Sequence, residues 1–474
     1  MMWNRNEQTI CAISTPHGVG GIAVIRVSGP QALSISGRIC KRLSKSLSNE
    51  ETLQSHFQSH RAYFSEIHDL KGQKIDEAVV TYFAHGKSFT GEEVIEISCH
   101  GSPYITGQIL DQLVQAGAKI AEPGEFTYRA FMNNKLDLVQ AESVLSLIES
   151  RNKSAAKVAL RQLEGHVSKE VEELISDLTW CLAHIEASID FIEQGIEVVD
   201  TSELIHKLEK INGTLEKLLQ SYESGRLIKD GIKVALLGEP NVGKSSLLNL
   251  LLQNDKAIVT PIAGTTRDVI DGEIIFDGMK YIISDTAGLR ETQDEVEIIG
   301  IDRSRQEAEK ADLLCFVFDA TEKEWQRSLQ MATEIQNSKK IFLLNKSDTV
   351  SADELYRIQD EISMSLGLSG AQEILATSAR EATSRSHIFA AIKSAVGQFD
   401  YLDEAVISSS RQFEQAQYSF EMISKSVDEL KNKTGAEFVA LYLKEALLSL
   451  QKILGQVYDD QIMDRVFKEF CLGK

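Results

Sequence analysis

Residues Gly238-Glu-Pro-Asn-Val-Gly-Lys-Ser245 bring two glycines, an asparagine, a lysine and a hydroxyl together within eight positions. The apolar run Lys233–Leu237 precedes them and the leucine-rich run Ser246–Leu252 follows. Strand, glycine loop and helix in that order frame a phosphate-binding loop. Glycines let backbone N–H groups converge on phosphate oxygens, and the helix N-terminus adds its positive end. Lys244 is placed to reach the β and γ phosphates, and Ser245 to ligate magnesium. Three more segments follow in order. Asp285-Thr-Ala-Gly288 closes an expected strand, Tyr281–Ser284, which the Asp277-Gly278 turn pairs with Glu273–Phe276. Asp285 is suited to hold magnesium through water, and the Gly288 N–H to meet the γ-phosphate. Asn345-Lys-Ser-Asp348 follows the apolar run Ile341–Leu344. A carboxylate accepts two hydrogen bonds side by side, so Asp348 suits the ring N–H and amine of guanine, a pair that adenine lacks. Ser378-Ala-Arg380 follows Glu373–Thr377, where its backbone can cover the base. The four segments together point to GTP on a Ras-like domain.

The nucleotide contacts expected are those of Asn241, Val242, Gly243, Lys244, Ser245 and Ser246 in the loop. Asp285, Thr286, Ala287 and Gly288 add to them, as do Asn345, Lys346, Ser347 and Asp348, then Ser378, Ala379 and Arg380. Between the loop and Asp285 lies a switch segment, Thr260, Pro261, Ile262, Ala263, Gly264, Thr265 and Thr266, continuing to Asp268. Thr266 is the expected second hydroxyl on magnesium. Ras-type enzymes orient the attacking water with a glutamine after the second switch glycine. Here that position is Leu289, which cannot do so. Either hydrolysis is crippled or other groups take over. Asn241 either supports the loop or, with backbone carbonyls of the switch, coordinates a monovalent cation that stabilises the charge developing in the transition state.

These segments need a parallel α/β sheet to position them, and Gly231 opens such a region of strands alternating with helices. Before it, Val167, Val171, Leu174, Leu178, Leu182, Ile185 and Ile189 recur at helical spacing; Phe413–Leu430 and Leu443–Leu454 show the same period near the end. An α/β domain is thus inserted into an α-helical one. Residues 1 to about 130 are mixed, with strands expected at Ile22–Val27 and Val94–Ile97. The expected domains are 1–133, 134–230 (helical, first part), 231–395 (Ras-like) and 396–474 (helical, second part). At 474 residues, 43% hydrophobic and 25% charged, the chain reads as a multidomain globular protein. No apolar run approaches membrane-spanning length, and Met1–Thr9 lacks the order of a signal peptide. Six cysteines without CxxC spacing argue for a reducing cytoplasm and against zinc or a disulfide framework. A net charge of −20 disfavours non-specific adhesion to nucleic acid.

Some patterns carry less than they suggest. Gly18-x-Gly20-Gly21 would need to open a helix to bind a dinucleotide, yet β-branched residues follow it. Arg38, Lys41 and Arg42 read as a solvated helix face. Cys471, four residues from the end, fits a prenylation box poorly.

The chain resembles the tRNA-modifying GTPases of the MnmE (TrmE) family, within the TrmE-Era-EngA-YihA-Septin-like group. The resemblance rests on Ser14-Thr-Pro-His-Gly-Val-Gly-Gly-Ile-Ala-Val-Ile-Arg26-Val-Ser-Gly29 and on Phe89-Thr-Gly-Glu-Glu-Val-Ile-Glu96. It rests equally on Pro123-Gly-Glu-Phe-Thr-Tyr-Arg-Ala-Phe-Met-Asn-Asn-Lys135-Leu-Asp-Leu and on the closing Cys471-Leu-Gly-Lys474. It implies a folate-binding-like N-terminal α/β domain that dimerises, and a helical domain interrupted by a Ras-like P-loop G domain. It places potassium at Asn241, Thr260, Ile262 and Thr265, and a water-orienting glutamate at Glu297. It places a tetrahydrofolate at Arg26, Glu96, Lys135 and Lys474, with 5-formyltetrahydrofolate as bound analogue of the 5,10-methylene donor. An arginine and two lysines suit an anionic glutamyl tail or a polar pterin edge.

The implied function is potassium-dependent GTP hydrolysis coupled to tRNA modification. A homodimer, joined in a heterotetramer by the flavoprotein MnmG (GidA), adds a carboxymethylaminomethyl or aminomethyl group to carbon 5 of a wobble uridine. The competing reading is a regulatory or ribosome-assembly GTPase without one-carbon chemistry. Arg26, Glu96, Lys135 and the terminal Cys471–Lys474 discriminate, since a bare switch needs none of them.

Overall fold

A computed structural model describes residues 8–41, 58–191, 200–253, 270–285, 308, 310–322, 325–335, 339–397, 405–432 and 435–458, with 463, 466–468, 470 and 473. The chain divides into two compact units: Met1–Leu145 with Arg161–Glu216 and Glu414–Lys474, and Ser146–Leu160 with Lys217–Phe413.

In the first unit β1 (Ile10–Ile13) and β2 (Gly20–Ser28) form an antiparallel pair, followed by α1 (Ala32–Gly37). Strands β3 (Arg61–His68), β4 (Lys74–Phe83) and β5 (Val94–Gly101) then lead to α2 (Pro103–Gln115), β6 (Lys119–Ile120) and α3 (Glu125–Met132). The sheet order is β3-β4-β5-β2-β1-β6. Alternation decides its faces. Ile25, Val27, Val80, Ile95 and Ile97 pack with Leu33 and Ile35 of α1 and Ile109 and Leu113 of α2. Ile10 and Ala12 pack with Phe126 of α3 in a separate cluster. The expected strands at Ile22–Val27 and Val94–Ile97 are therefore present, and the glycines at 18–21 lead into a strand, as the dinucleotide reading forbids.

Helices α4 (Leu138–Glu149), α5 (Lys153–Leu163), α6 (His166–Phe191) and α7 (Thr201–Asp230) follow. The periodic residues of 167–185 are the buried stripe of α6.

In the second unit β7 (Ile232–Leu237) runs into α8 (Lys244–Leu252). The hairpin β8 (Ile270–Phe276) and β9 (Met279–Asp285) turns at Asp277 and Gly278, both at positive φ (48° and 75°), the conformation a two-residue hairpin loop requires. Then come β10 (Leu313–Asp319), α9 (Gln326–Glu334), β11 (Lys339–Asn345), α10 (Ala352–Leu366), β12 (Ile374–Ala376) and α11 (Ala382–Val396). The order β12-β11-β10-β7-β9-β8 is parallel except for β8. Both faces are covered. Val234, Leu236, Cys315 and Val317 meet Leu247 of α8 and Ile388 and Phe389 of α11. Leu237, Phe316, Phe318 and Leu344 meet Ala332 of α9 and Ile358 and Ile362 of α10. Every residue of β10 is buried, and each such large apolar side chain contributes about 1.5–3 kcal/mol. Ala155, Val158, Leu227, Ile228 and Val406, outside the expected 231–395 domain, share the first of these clusters. The chain closes with α12 (Ser410–Lys431) and α13 (Ala436–Leu454).

Candidate functional site: a phosphate loop and a charged sheet face

Strand β7 delivers Leu237, and two close approaches then fix the loop. A Cβ on Gly238 would lie 2.4 Å from the Val317 carbonyl oxygen, and one on Gly243 would lie 2.3 Å from Asn345 Nδ2. Neither position tolerates a side chain. Gly243 is also left-handed (φ 97°), which lets α8 begin at Lys244, two residues earlier than the apolar run alone indicates. Asn241 is left-handed as well (φ 65°) and exposed at the loop tip. Buried Lys244 donates from Nζ to the carbonyls of Gly238 (2.9 Å) and Glu239 (2.7 Å), holding the loop in a closed ring of its own.

The base-recognition segments meet this loop directly. Asn345 ends β11 and donates from Nδ2 to the Val242 carbonyl at 2.8 Å. Its Oδ1 is buried and has no partner among the described residues. The Ser347 N–H and hydroxyl both donate to the Thr377 carbonyl (3.1 and 2.9 Å), which ties the second segment to the third. The Ser378 N–H donates to Ser384 Oγ, and the Arg380 guanidinium lies 3.6 Å from the Asp348 carboxylate. The structure thus gathers Val242, Gly243, Lys244, Asn345, Ser347, Asp348, Ser378 and Arg380 at the carboxyl ends of β7, β11 and β12. That is where a doubly wound sheet binds ligands. Thr260 to Thr266, Thr286 to Gly288, Leu289 and Glu297 lie outside the described residues, and Asp285 is described only as the last residue of β9.

Arg26 and Glu96 are register partners on β2 and β5. Arg26 Nε (2.9 Å) and Nη2 (2.7 Å) both donate to Glu96 Oε1. Among the described residues nothing pairs with Arg26 Nη1 or Glu96 Oε2. The guanidinium lies 5.7 Å from the Phe89 ring and 5.6 Å from the Phe126 ring. Lys135 is not turned onto this pair: its Nζ donates to the Gly86 carbonyl at 2.9 Å. Lys474 and Cys471 lie outside the described residues. Their neighbour Gly473 sits against β1, where the Ser14 hydroxyl donates to its carbonyl at 3.0 Å. A Cβ on Gly473 would lie 2.2 Å from the Ile13 carbonyl oxygen.

Residues 138–471 match the family model of the MnmE helical domain, and residues 9–135 match that of the GTP-binding protein TrmE N-terminus. A tRNA modification GTPase MnmE of Bdellovibrio bacteriovorus is 47% identical over 482 residues, covering 99% of this chain and 98% of the relative. The chain belongs to the MnmE family of tRNA modification GTPases. MnmE proteins of Natranaerobius thermophilus and Aquifex aeolicus are 37% and 36% identical, each covering 99% of this chain and 100% of the relative.

Within this MnmE-family chain one important carboxylate escaped the sequence reading. Asp319, buried at the end of β10, takes the Lys346 ammonium in an ion pair and accepts from Thr321 N–H (2.8 Å) and Oγ1 (2.7 Å). Burial opposes its charge, but these partners outweigh burial and hold its carboxyl below the usual range. Its signal in the sequence is a β-type apolar run, Leu313–Phe318, that ends on an acid, as β9 also does. Cys11, Cys40, Cys99, Cys181 and Cys315 are buried and free. Burial pushes the Cys11 and Cys40 thiols up to about 12, which removes them as nucleophiles. Among the described residues no group of three or more ligating side chains could hold a transition metal, and no helix is long and apolar enough to cross a membrane.

Proposed function

We propose that this chain hydrolyses GTP with magnesium and potassium to drive one-carbon chemistry on tRNA in the cytoplasm. As a homodimer joined by MnmG, it adds an aminomethyl or carboxymethylaminomethyl group to carbon 5 of a wobble uridine. The one-carbon unit comes from 5,10-methylenetetrahydrofolate. Family membership supports the tRNA and GTPase parts of this reading. The observation that carries the folate part is the Arg26–Glu96 pair flanked by Phe89 and Phe126, which a bare GTPase switch does not need.

GTP displaces the carbonyls of Gly238 and Glu239 from Lys244, which turns its ammonium to the β and γ phosphates. Asp348 reads the guanine edge, and the Asn345–Val242 bond keeps base and phosphate segments in register. Ser245 and Thr266 hold magnesium. Asn241, Thr260, Ile262 and Thr265 hold potassium, whose charge supports the transition state that Leu289 cannot serve. Glu297 orients the attacking water.

At the N-terminal sheet, Glu96 already neutralises Arg26 and would repel a glutamyl carboxylate. The spare Arg26 donor beside the spare Glu96 acceptor instead suits the N–H and C=O edge of a pterin. Lys135 and Lys474 remain for the anionic tail. Equilibrium binding of 5-formyltetrahydrofolate, with GTP turnover in potassium and in sodium, tests both halves. Binding together with faster turnover in potassium supports the proposal. No folate binding removes the one-carbon half of the proposal, and equal rates in the two salts remove the cation role.

A further inference from the structure

The N-terminal sheet and α3 hold a buried ionic network that neither the nucleotide site nor the folate contacts use. The Arg129 side chain on α3 is 4% exposed, with Glu125 and Glu92 beside it at 7% and 11%. Arg129 Nη1 lies 3.1 Å from both Glu92 carboxylate oxygens and donates to the Gln8 carbonyl at 2.9 Å. Its Nη2 donates to Glu125 Oε1 at 2.8 Å, and Glu125 Oε2 accepts from the Glu122 N–H. Glu92 Oε2 takes a hydrogen bond from Ser28 Oγ at 2.7 Å, and Ser28 Oγ lies 2.8 Å from Thr90 Oγ1.

Three members of this network stand beside the walls of the Arg26 site. Ser28 is two residues beyond Arg26 on β2. Glu92 follows Phe89 by three residues in the connection from β4 to β5. Glu125 directly precedes Phe126 on α3. One guanidinium therefore clamps the three segments that carry Arg26 and the two rings flanking it. A buried ion network is a poor way to gain stability, because apolar residues of like volume often serve as well or better. What it offers is geometry: the planar fork fixes the bearing of each carboxylate.

We infer that Arg129, Glu92 and Glu125 are positioning residues for the N-terminal ligand, setting the spacing of Phe89 and Phe126 around Arg26. The inference rests on the folate reading of that site.

The test is 5-formyltetrahydrofolate binding by the full-length chain carrying Arg129→Lys or Glu92→Gln, each alone and combined with Phe89→Leu. Arg129→Lys keeps the charge and loses the fork; Glu92→Gln keeps the shape and loses the charge, so one serves if the other misfolds. Each should weaken binding by about 10-fold while GTP turnover of the same preparation stays unchanged. A structural role alone predicts additive losses. Positioning predicts that Phe89→Leu, costing about 5-fold in the unaltered chain, costs under about 2-fold once the network is altered. Folate binding with additive losses overturns the inference and leaves the folate reading standing. No binding by the unaltered chain overturns the folate reading, and the inference with it.

Discussion

The two six-stranded sheets build their sites from different parts of the polypeptide. In the parallel sheet chemistry sits on loops at strand ends, and backbone does much of the work. Gly238, Gly243 and the Val242 carbonyl matter for the space or atoms they leave to others. In the mixed N-terminal sheet chemistry sits on a strand face, and side chains do the work. Arg26 and Glu96 are 70 residues apart in the chain and meet only because β2 lies beside β5. The parallel site is written in short contiguous segments, whereas the mixed one exists only after folding.

Four substitutions separate the two sites. Lys244→Ala should lower GTP turnover by ~1000-fold or more, because it deletes the charge on the developing phosphate oxygens, yet leave 5-formyltetrahydrofolate binding intact. A loss of folate binding would show that the two sites are not separable. Asp348→Asn should cost at least ~100-fold in GTP affinity and restore binding of xanthosine triphosphate, whose carbonyl replaces the guanine amine. Competition between the two nucleotides reads this. Arg26→Ala should weaken 5-formyltetrahydrofolate by ~10- to 100-fold and leave GTP turnover unchanged, as isothermal titration and phosphate release on one preparation will show.

Asp319→Asn should cost the second unit about 1–2 kcal/mol at neutral pH. Lys346 and Thr321 hold the folded-state carboxyl below its unfolded value. Its contribution is therefore complete above about pH 4 and disappears as pH falls through the folded-state value. Thermal melts from pH 7 to pH 3 should converge for the two proteins at the acid end. Parallel curves would remove Asp319 as a support of the lysine.

How much was legible follows the same divide. The hairpin at Asp277-Gly278 and the strand and helix around Gly238–Ser245 were readable because turn chemistry and apolar period are local properties. The parallel face was readable in outline only. Asp319 stayed hidden because its role depends on Lys346, which only the pairing of β10 with β11 brings near. At the N-terminal sheet Arg26 and Glu96 came from resemblance, since nothing local marks them as partners. Nothing local marks Arg129 either: two of its anchors, Gln8 and Glu92, lie 121 and 37 residues away in the chain and reach it only through folding.

Hydrolysis at Lys244 thus serves chemistry at Arg26. This coupling is tested most directly by mass spectrometry of wobble uridines in tRNA from cells whose own gene is replaced by wild type, Lys244→Ala or Arg26→Ala. The carbon-5 modification should be present with wild type and absent with both variants, although Arg26→Ala still hydrolyses GTP. Full modification with Arg26→Ala would contradict it.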